Sequence, residues 1–227
     1  MKGTCYMDVS ESMVVPKGAK GAIATRPMTV EVFFDFVCPW CLIGKRQFDA
    51  AVRKLAELRP DAQPHVVWRS HALLPDTPVG GVPYQAFYVA RLGSPEAVTR
   101  RRAQVQQAGT AAGVQFAFDR IELLPNTAKA HAWVARTAQA QQAKFIDRIF
   151  TAYFLEGEDI GDESVLERLA LECALQTEIR GADEERPAGA RYAVPGVPFF
   201  VFDGRLALSG AATADAMLDV LLQALGA

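Results

Sequence analysis

The sequence predicts an α/β fold in three blocks: a β-α-β unit, a long helical segment and a closing β-β-α unit. Three observations carry that reading. Strand-like runs over about 29–36 and 65–71 flank a helix-like run over about 42–58. From Tyr84 to about Glu185, apolar residues recur at helical spacing with no convincing strand between them. Asp203-Gly204, a strong signal for a two-residue hairpin turn, separates the apolar run 197–202 from Arg205-Leu206-Ala207-Leu208.

Taken in order, residues 1–27 read as an ill-ordered extension of Gly, Ala, Ser and Lys without periodicity, and Met28 opens the patterned chain. The first helix carries Phe48, Val52, Leu55 and Leu58 at helical spacing, and Pro60 stops it. Its flanking strands pair in parallel, because a strand-helix-strand unit closes by a right-handed crossover. Residues 74–81 are rich in Pro and Gly and form a loop. Helices are then expected over 95–109, from an Asn126 N-cap through Gln139, and around Phe145, Ile149 and Tyr153. Asp162 caps a further helix with Leu166, Leu169, Ala170 and Cys173 on one face. Thr213 caps the last helix, which carries Met217, Leu218, Leu221, Leu222 and Leu225. No internal repeat is visible. The expected organisation is an extension over 1–27, one domain from 28–75 plus 190–227, and an inserted helical domain over 76–189.

Half of the 227 residues are hydrophobic, enough for one sizeable core with room for a smaller second lobe. With 24 basic and 26 acidic residues, the net charge of −2 points to neither a nucleic-acid nor a membrane partner. Arg100-Arg101-Arg102 is the one basic cluster and is expected to be a solvated helix face. No apolar stretch reaches membrane-spanning length, and residues 1–27 hold no apolar core of a secretory signal, so a cytoplasmic location is expected. In that compartment a paired Cys-x-x-Cys is catalytic or metal-binding more often than structural.

Such a pair is present: Cys38-Pro39-Trp40-Cys41, between the first strand and the first helix. One helical turn brings the two sulfurs within bonding reach. The helix N-terminus offers free N–H groups and partial positive charge, which favour a thiolate. Pro39 fits there because the first turn has no use for its missing N–H. Cys38, the more exposed, is the candidate nucleophile, and the more buried Cys41 the resolving thiol. Zinc would need a second pair of ligands, and Cys5, Cys173, His65, His71 and His131 stand singly, so no metal is expected.

Several further stretches accompany the motif. These are Phe34-Asp35-Phe36-Val37 before it, Gly44-Lys45 after it, Asn126-Thr127-Ala128-Lys129-Ala130-His131, Tyr153-Phe154-Leu155-Glu156-Gly157-Glu158-Asp159-Ile160, and Gly196-Val197-Pro198-Phe199-Phe200-Val201-Phe202. Together they resemble the thioredoxin fold with an all-helical domain inserted in its middle, as in the DsbA-like oxidoreductases. The likeness is nearest to their cytosolic FrnE-like branch. The resemblance implies thiol–disulfide exchange through a redox-active Cys38–Cys41 disulfide, with no bound cofactor. Partners would be protein or small-molecule thiols and disulfides, with glutathione a possible co-substrate. It also implies that Pro198 is a cis proline opposite the Cys-x-x-Cys, with Val197 pairing to substrate backbone; Pro195 is an ordinary loop proline.

The remaining candidates are read more plainly. Trp40 is either a flat contact for unfolded protein or glutathione, or packing against the inserted helices. Asp35 can relay a proton or tune Cys38, but a solvated strand-end carboxylate is the expectation favoured. His131 is expected to be a satisfied structural residue. Lys45 and Arg46 either add positive potential near Cys38 or are plain surface charges. Cys173 behaves as a core residue and Cys5 as a thiol in the extension. Secreted members of the family carry His where this chain has Trp40, so a less acidic Cys38 is expected here. Two rival readings stand beside this one. Kappa-class glutathione transferases and 2-hydroxychromene-2-carboxylate isomerases share the fold but use a lone serine. A non-enzymatic holdase would need neither thiol. The direction of exchange, and monomer against homodimer, stay open.

Overall fold

The computed structural model describes residues 28–175 and 192–226. The extension over 1–27 with Cys5, and the end of the expected helical block near Glu185, lie outside the described residues.

β1 (Thr29–Phe34) leads into α1 (Pro39–Leu58), and β2 (His65–Ser70) returns to pair in parallel with β1, Val32 opposite Trp68. β3 (Val82–Pro83), α2 (Tyr84–Leu92), α3 (Pro95–Ala111), β4 (Leu123–Leu124), α4 (Ala128–Arg136), α5 (Gln139–Thr151) and α6 (Glu163–Glu172) follow. β5 (Phe199–Phe202), β6 (Leu206–Ser209) and α7 (Ala214–Gly226) close the chain. The main sheet has the order β2-β1-β5-β6, with β5 antiparallel to β1 and β6 antiparallel to β5. This is a mixed α/β thioredoxin-type sheet. Asp203 and Gly204 turn the β5–β6 hairpin with φ of 55° and 68°, the doubly positive geometry that an Asp-Gly turn provides.

Strand alternation sets the core. Val30, Val32 and Phe34 of β1 share a face with Phe200 and Phe202, and all five are buried. Phe48 of α1 packs on Phe200 with ring centroids 5.6 Å apart, and Leu55, Met217 and Leu221 fill the space between α1 and α7. Each such side chain contributes about 1.5–3 kcal/mol on burial. On the opposite face Glu31 is 8% exposed, and Arg69 donates to it at 2.9 Å and the Tyr192 hydroxyl at 2.9 Å.

An aromatic seam ties the helical segment to the end of β1. Phe36 packs on Phe150 of α5 at 5.1 Å and on His131 of α4 at 4.9 Å, and Phe34 reaches the same two rings. That seam lies beside the turn that carries Cys38.

Three details depart from the sequence reading. The helical segment includes one two-residue ladder, β3 with β4, too short for any periodicity to reveal. The helix expected from Asn126 through Gln139 is shorter, Ala128–Arg136, and Gln139 instead opens α5. Asn126 accepts from the Ala128 N–H at 2.9 Å, but the helix ends at Arg136. There Thr137 is extended, its hydroxyl donates to the Trp133 carbonyl at 2.8 Å, and Gln142 donates to the Val134 and Thr137 carbonyls. These bonds satisfy the free carbonyls of a helix end. Finally, α5 runs into a π-helical turn, Ala152–Glu156, closed by Gly157 at φ 79°. Phe145, Ile149 and Tyr153 are all buried, and Asp162 caps α6 by accepting from the Ser164 N–H at 2.8 Å.

Candidate active site

After β1 the chain turns through Asp35, Phe36 and Val37, and Cys38 becomes the N-cap of α1. The Cys38 N–H donates to the Asp35 carbonyl at 3.2 Å, and the Cys41 N–H donates to the Cys38 carbonyl at 3.0 Å. Pro39 occupies the first helical position. Both cysteines are thiols and both are buried, Cys38 6% and Cys41 2% exposed. Their difference in access is therefore small; acidity separates them. The Cys38 thiol is held below its ordinary pKa, first by a hydrogen bond from the Cys41 thiol, against burial, and then by the Cys41 and Trp40 N–H groups. Cys41 is pushed well above its ordinary pKa, first by burial and then by donating to Cys38. The negative charge of Asp35 raises both.

Across from the motif, the Val197–Pro198 peptide bond is cis, and the Cys38 thiol donates to the Val197 carbonyl at 3.6 Å. Pro198 is buried, and Pro195 lies exposed in the approach loop. Gly44 makes this closeness feasible: a Cβ there would sit 2.9 Å from Pro198 Cγ. Gly44 was visible in the sequence only as part of a family-like stretch, with no role attached.

Asp35 is not the solvated strand-end carboxylate expected. It is completely buried under the aromatic seam, with Oδ2 accepting from the Leu73 N–H at 2.8 Å and Oδ1 facing His131 Nε2 at 3.1 Å. His131 is thus the partner of a buried acid, and its Nδ1 is buried without a partner among the described residues. An ionised Asp35 only accepts, so with it the ring carries a proton on Nε2. Lys45 and Arg46 are neither free potential near Cys38 nor plain surface charges. Lys45 is buried, pairs with Asp49 at 2.8 Å and Asp147 at 3.3 Å, and sits over Trp68; Arg46 pairs with Asp147 at 2.9 Å. Cys173 is buried in the core.

The basic cluster needs a partial correction. Arg100 and Arg101 are exposed, as a solvated helix face requires, whereas Arg102 is half-buried toward α2. Arg101 lies over the half-buried Trp40 ring at 5.8 Å, and Arg102 over Tyr84 at 5.1 Å. Trp40 is half-buried against the core with Arg101 over its ring. Between α2, α3 and the Pro39-Trp40 end of α1 opens a cavity of about 200 Å³. Tyr88 lines it, its phenol pushed up to about 12 by burial and then by the charge of Cys38. Sequence reasoning missed this wall. Its signal was present: Tyr84, Tyr88 and Arg91 stand at i, i+4, i+7, as do Val98, Arg101, Arg102 and Val105 at i, i+3, i+4, i+7.

Among the described residues, no group of three or more His, Cys, Asp or Glu side chains is placed to hold a metal ion, and no helix is long and apolar enough to cross a membrane.

A thioredoxin-type sheet whose first helix begins with two thiols one turn apart defines a dithiol protein of that fold. The family model described as DSBA-like thioredoxin domain matches residues 29–222, and the chain belongs to that family. The structure of a probable DsbA oxidoreductase, SCO1869 from Streptomyces coelicolor, is similar with a TM-score of 0.76 at 24% identity, covering 88% of this chain and 90% of that one. The cytosolic disulfide reductase DsbM from Pseudomonas aeruginosa, solved with glutathione, is similar with a TM-score of 0.61 at 21% identity, covering 88% of this chain and 100% of that one. The uncharacterized protein YwbO of Bacillus subtilis (strain 168) is 24% identical over 155 residues, a match that spans 64% of this chain and 66% of that protein.

Proposed function

We propose that this chain is a cytoplasmic thiol–disulfide oxidoreductase working through Cys38 and Cys41. The observation that carries the reading is the pair of free thiols one turn apart at the N-terminus of α1, Cys38 3.6 Å from the Val197 carbonyl, with the Cys38 thiol lowered and the Cys41 thiol raised in pKa. That asymmetry suits a nucleophile and a resolving group. Cys38 thiolate attacks one sulfur of a substrate disulfide, forming a mixed disulfide and releasing one thiolate. Cys41 then loses its proton and attacks Cys38 Sγ, and the second substrate thiolate leaves with the electron pair. Asp35, buried and electrostatically linked to both sulfurs, is the acceptor for the Cys41 proton, and His131 holds it in place. Run backwards, the same steps oxidise a substrate dithiol. Val197 and Pro198 form the backbone edge against which an extended substrate lies, and Trp40 the flat side of the cleft. DsbM, which is described as a cytosolic disulfide reductase and was solved with glutathione, supports both the compartment and glutathione as co-substrate.

The test is the reduction potential of the pair, from equilibration in glutathione buffers with thiols counted by mass spectrometry. A value near about −270 mV makes the chain a reductase or isomerase, and one near about −120 mV an oxidant. Failure to form the disulfide, or full turnover by Cys41→Ser, overturns the two-thiol mechanism in favour of the lone-nucleophile glutathione chemistry.

A further inference from the structure

We infer that the cavity beside Pro39 and Trp40 is a subsite for small aromatic carboxylates, and that aryl disulfides and thiols bearing a carboxylate are preferred exchange partners. This rests on the thiol–disulfide reading and adds a substrate class to it. The wall is aromatic and basic together: Trp40, Tyr84, Tyr88 and Phe118 supply rings, and Arg91, Arg101 and Arg102 supply charge. Among the described residues no Asp or Glu lines it. Among the described residues Arg91 and Arg101 have rings rather than carboxylates as their charge partners, Phe87 and Trp40. Arg102 donates to the Gln85 side-chain carbonyl at 2.8 Å and reaches Asp119 at 3.6 Å, while its Nε–H is buried without a partner among the described residues. The α1 N-terminus adds partial positive charge at the same end. Arg91 and Arg101 stand exposed at the rim and Arg102 is half-buried, and three guanidinium groups on an aromatic pocket call for an anion with a flat face.

Size narrows the class. Drug-sized ligands occupy pockets of about 300–1,000 Å³. A cavity of about 200 Å³ takes a single ring with its carboxylate. The ring would lie among Trp40, Tyr84 and Tyr88, and the sulfur para to the carboxylate would project past Pro39 of the cavity wall toward Cys38, the N-cap directly before it. Exchange balances as before: the reduced pair and one aryl disulfide give the Cys38–Cys41 disulfide and two aryl thiols.

The probes are 4,4′-dithiodibenzoate and the neutral 4,4′-dithiodipyridine, followed in stopped flow with reduced protein. Dithiothreitol supplies the intrinsic ratio of the two rates. The protein's anionic-to-neutral ratio is expected to exceed that of dithiothreitol by about tenfold and to shrink with added salt. Benzoate is expected to compete with the anionic probe, and acetate is not. Arg101→Gln and Arg102→Gln, shown folded by their thermal unfolding, are expected to lose most of the enrichment and the benzoate effect. A ratio equal to that of dithiothreitol, with no competition by benzoate, overturns the subsite while leaving the exchange reading intact. Equal competition by acetate overturns the aromatic part. If neither disulfide is reduced, the exchange reading falls and the subsite with it.

Discussion

Cys38 stands between two walls of different make. One is the Val197–Pro198 loop, which presents a main-chain carbonyl at 3.6 Å from the sulfur and a proline ring against Gly44. The other is the face of α2 and α3, which presents Tyr88, Arg101 and Arg102. A backbone edge accepts any extended chain, because every residue offers the same N–H and C=O. A side-chain wall selects by charge and shape. On the proposed reading, the chemistry of exchange and the choice of partner lie on separate parts of the chain. The strands and α1 would carry the first, and the helices between β2 and β5 the second.

The comparison can be broken at its centre. Cys38→Ser is expected to reduce turnover of every disulfide substrate by at least about a thousandfold, whichever wall the substrate uses. Residual turnover that depends on Cys41 would reverse the assigned roles. Asp35→Asn comes next. Removing a buried negative charge that disfavours both thiolates makes both cysteines more acidic, so the pH midpoint of alkylation falls. Turnover is nevertheless expected to fall, by about a hundredfold, because the proton acceptor for Cys41 is gone. Turnover that rises with the larger thiolate fraction would make Asp35 an electrostatic brake and nothing more. His131→Phe leaves the carboxylate its Leu73 bond and is expected to act in the same direction to a smaller extent.

Gly44→Ala probes the backbone wall alone. A methyl group 2.9 Å from Pro198 Cγ forces α1 and the loop apart, at a cost of about 1–3 kcal/mol read as a lower thermal midpoint. Peptide disulfides, which lean on that wall, are expected to slow more than 4,4′-dithiodibenzoate, which leans on the other. Equal slowing would mean that the two walls are not separable.

The uneven legibility of these regions in the sequence has a physical cause. The β-α-β and β-β-α units announced themselves through period-two and helical patterns, and Asp203-Gly204 through the one turn type it favours. The Cys38–Cys41 motif was legible because its chemistry needs only local spacing. Asp35 was misjudged because its burial comes from distant residues, Leu73 and His131, which no local pattern ties to it. Arg102 was misjudged for the same reason. Arg100 and Arg101 are exposed, as a charge run on a helix is expected to be, and only the packing of α2 beside α3 half-buries Arg102 over Tyr84. The Thr137 break between α4 and α5 escaped because Gln142 and Thr137 end a helix by side-chain bonds that residue periodicity does not register.

The smallest effect expected concerns what acidifies Cys38. Its largest cause is the hydrogen bond from the Cys41 thiol, and the Cys41 and Trp40 N–H groups follow. Cys41→Ala removes the first cause and leaves the other two. Cys41→Ser keeps a donor in place of the thiol. The alkylation midpoint of Cys38 is therefore expected to rise in the alanine variant and to lie nearer wild type in the serine variant. The wild-type midpoint is expected to stay above the value of about 3.5 known for DsbA, since Trp40 cannot supply the charge of an imidazolium there. Equal midpoints in the two variants would transfer control to the helix N-terminus. The acidity of Cys38 would then belong to the local sequence rather than to its neighbour one turn on.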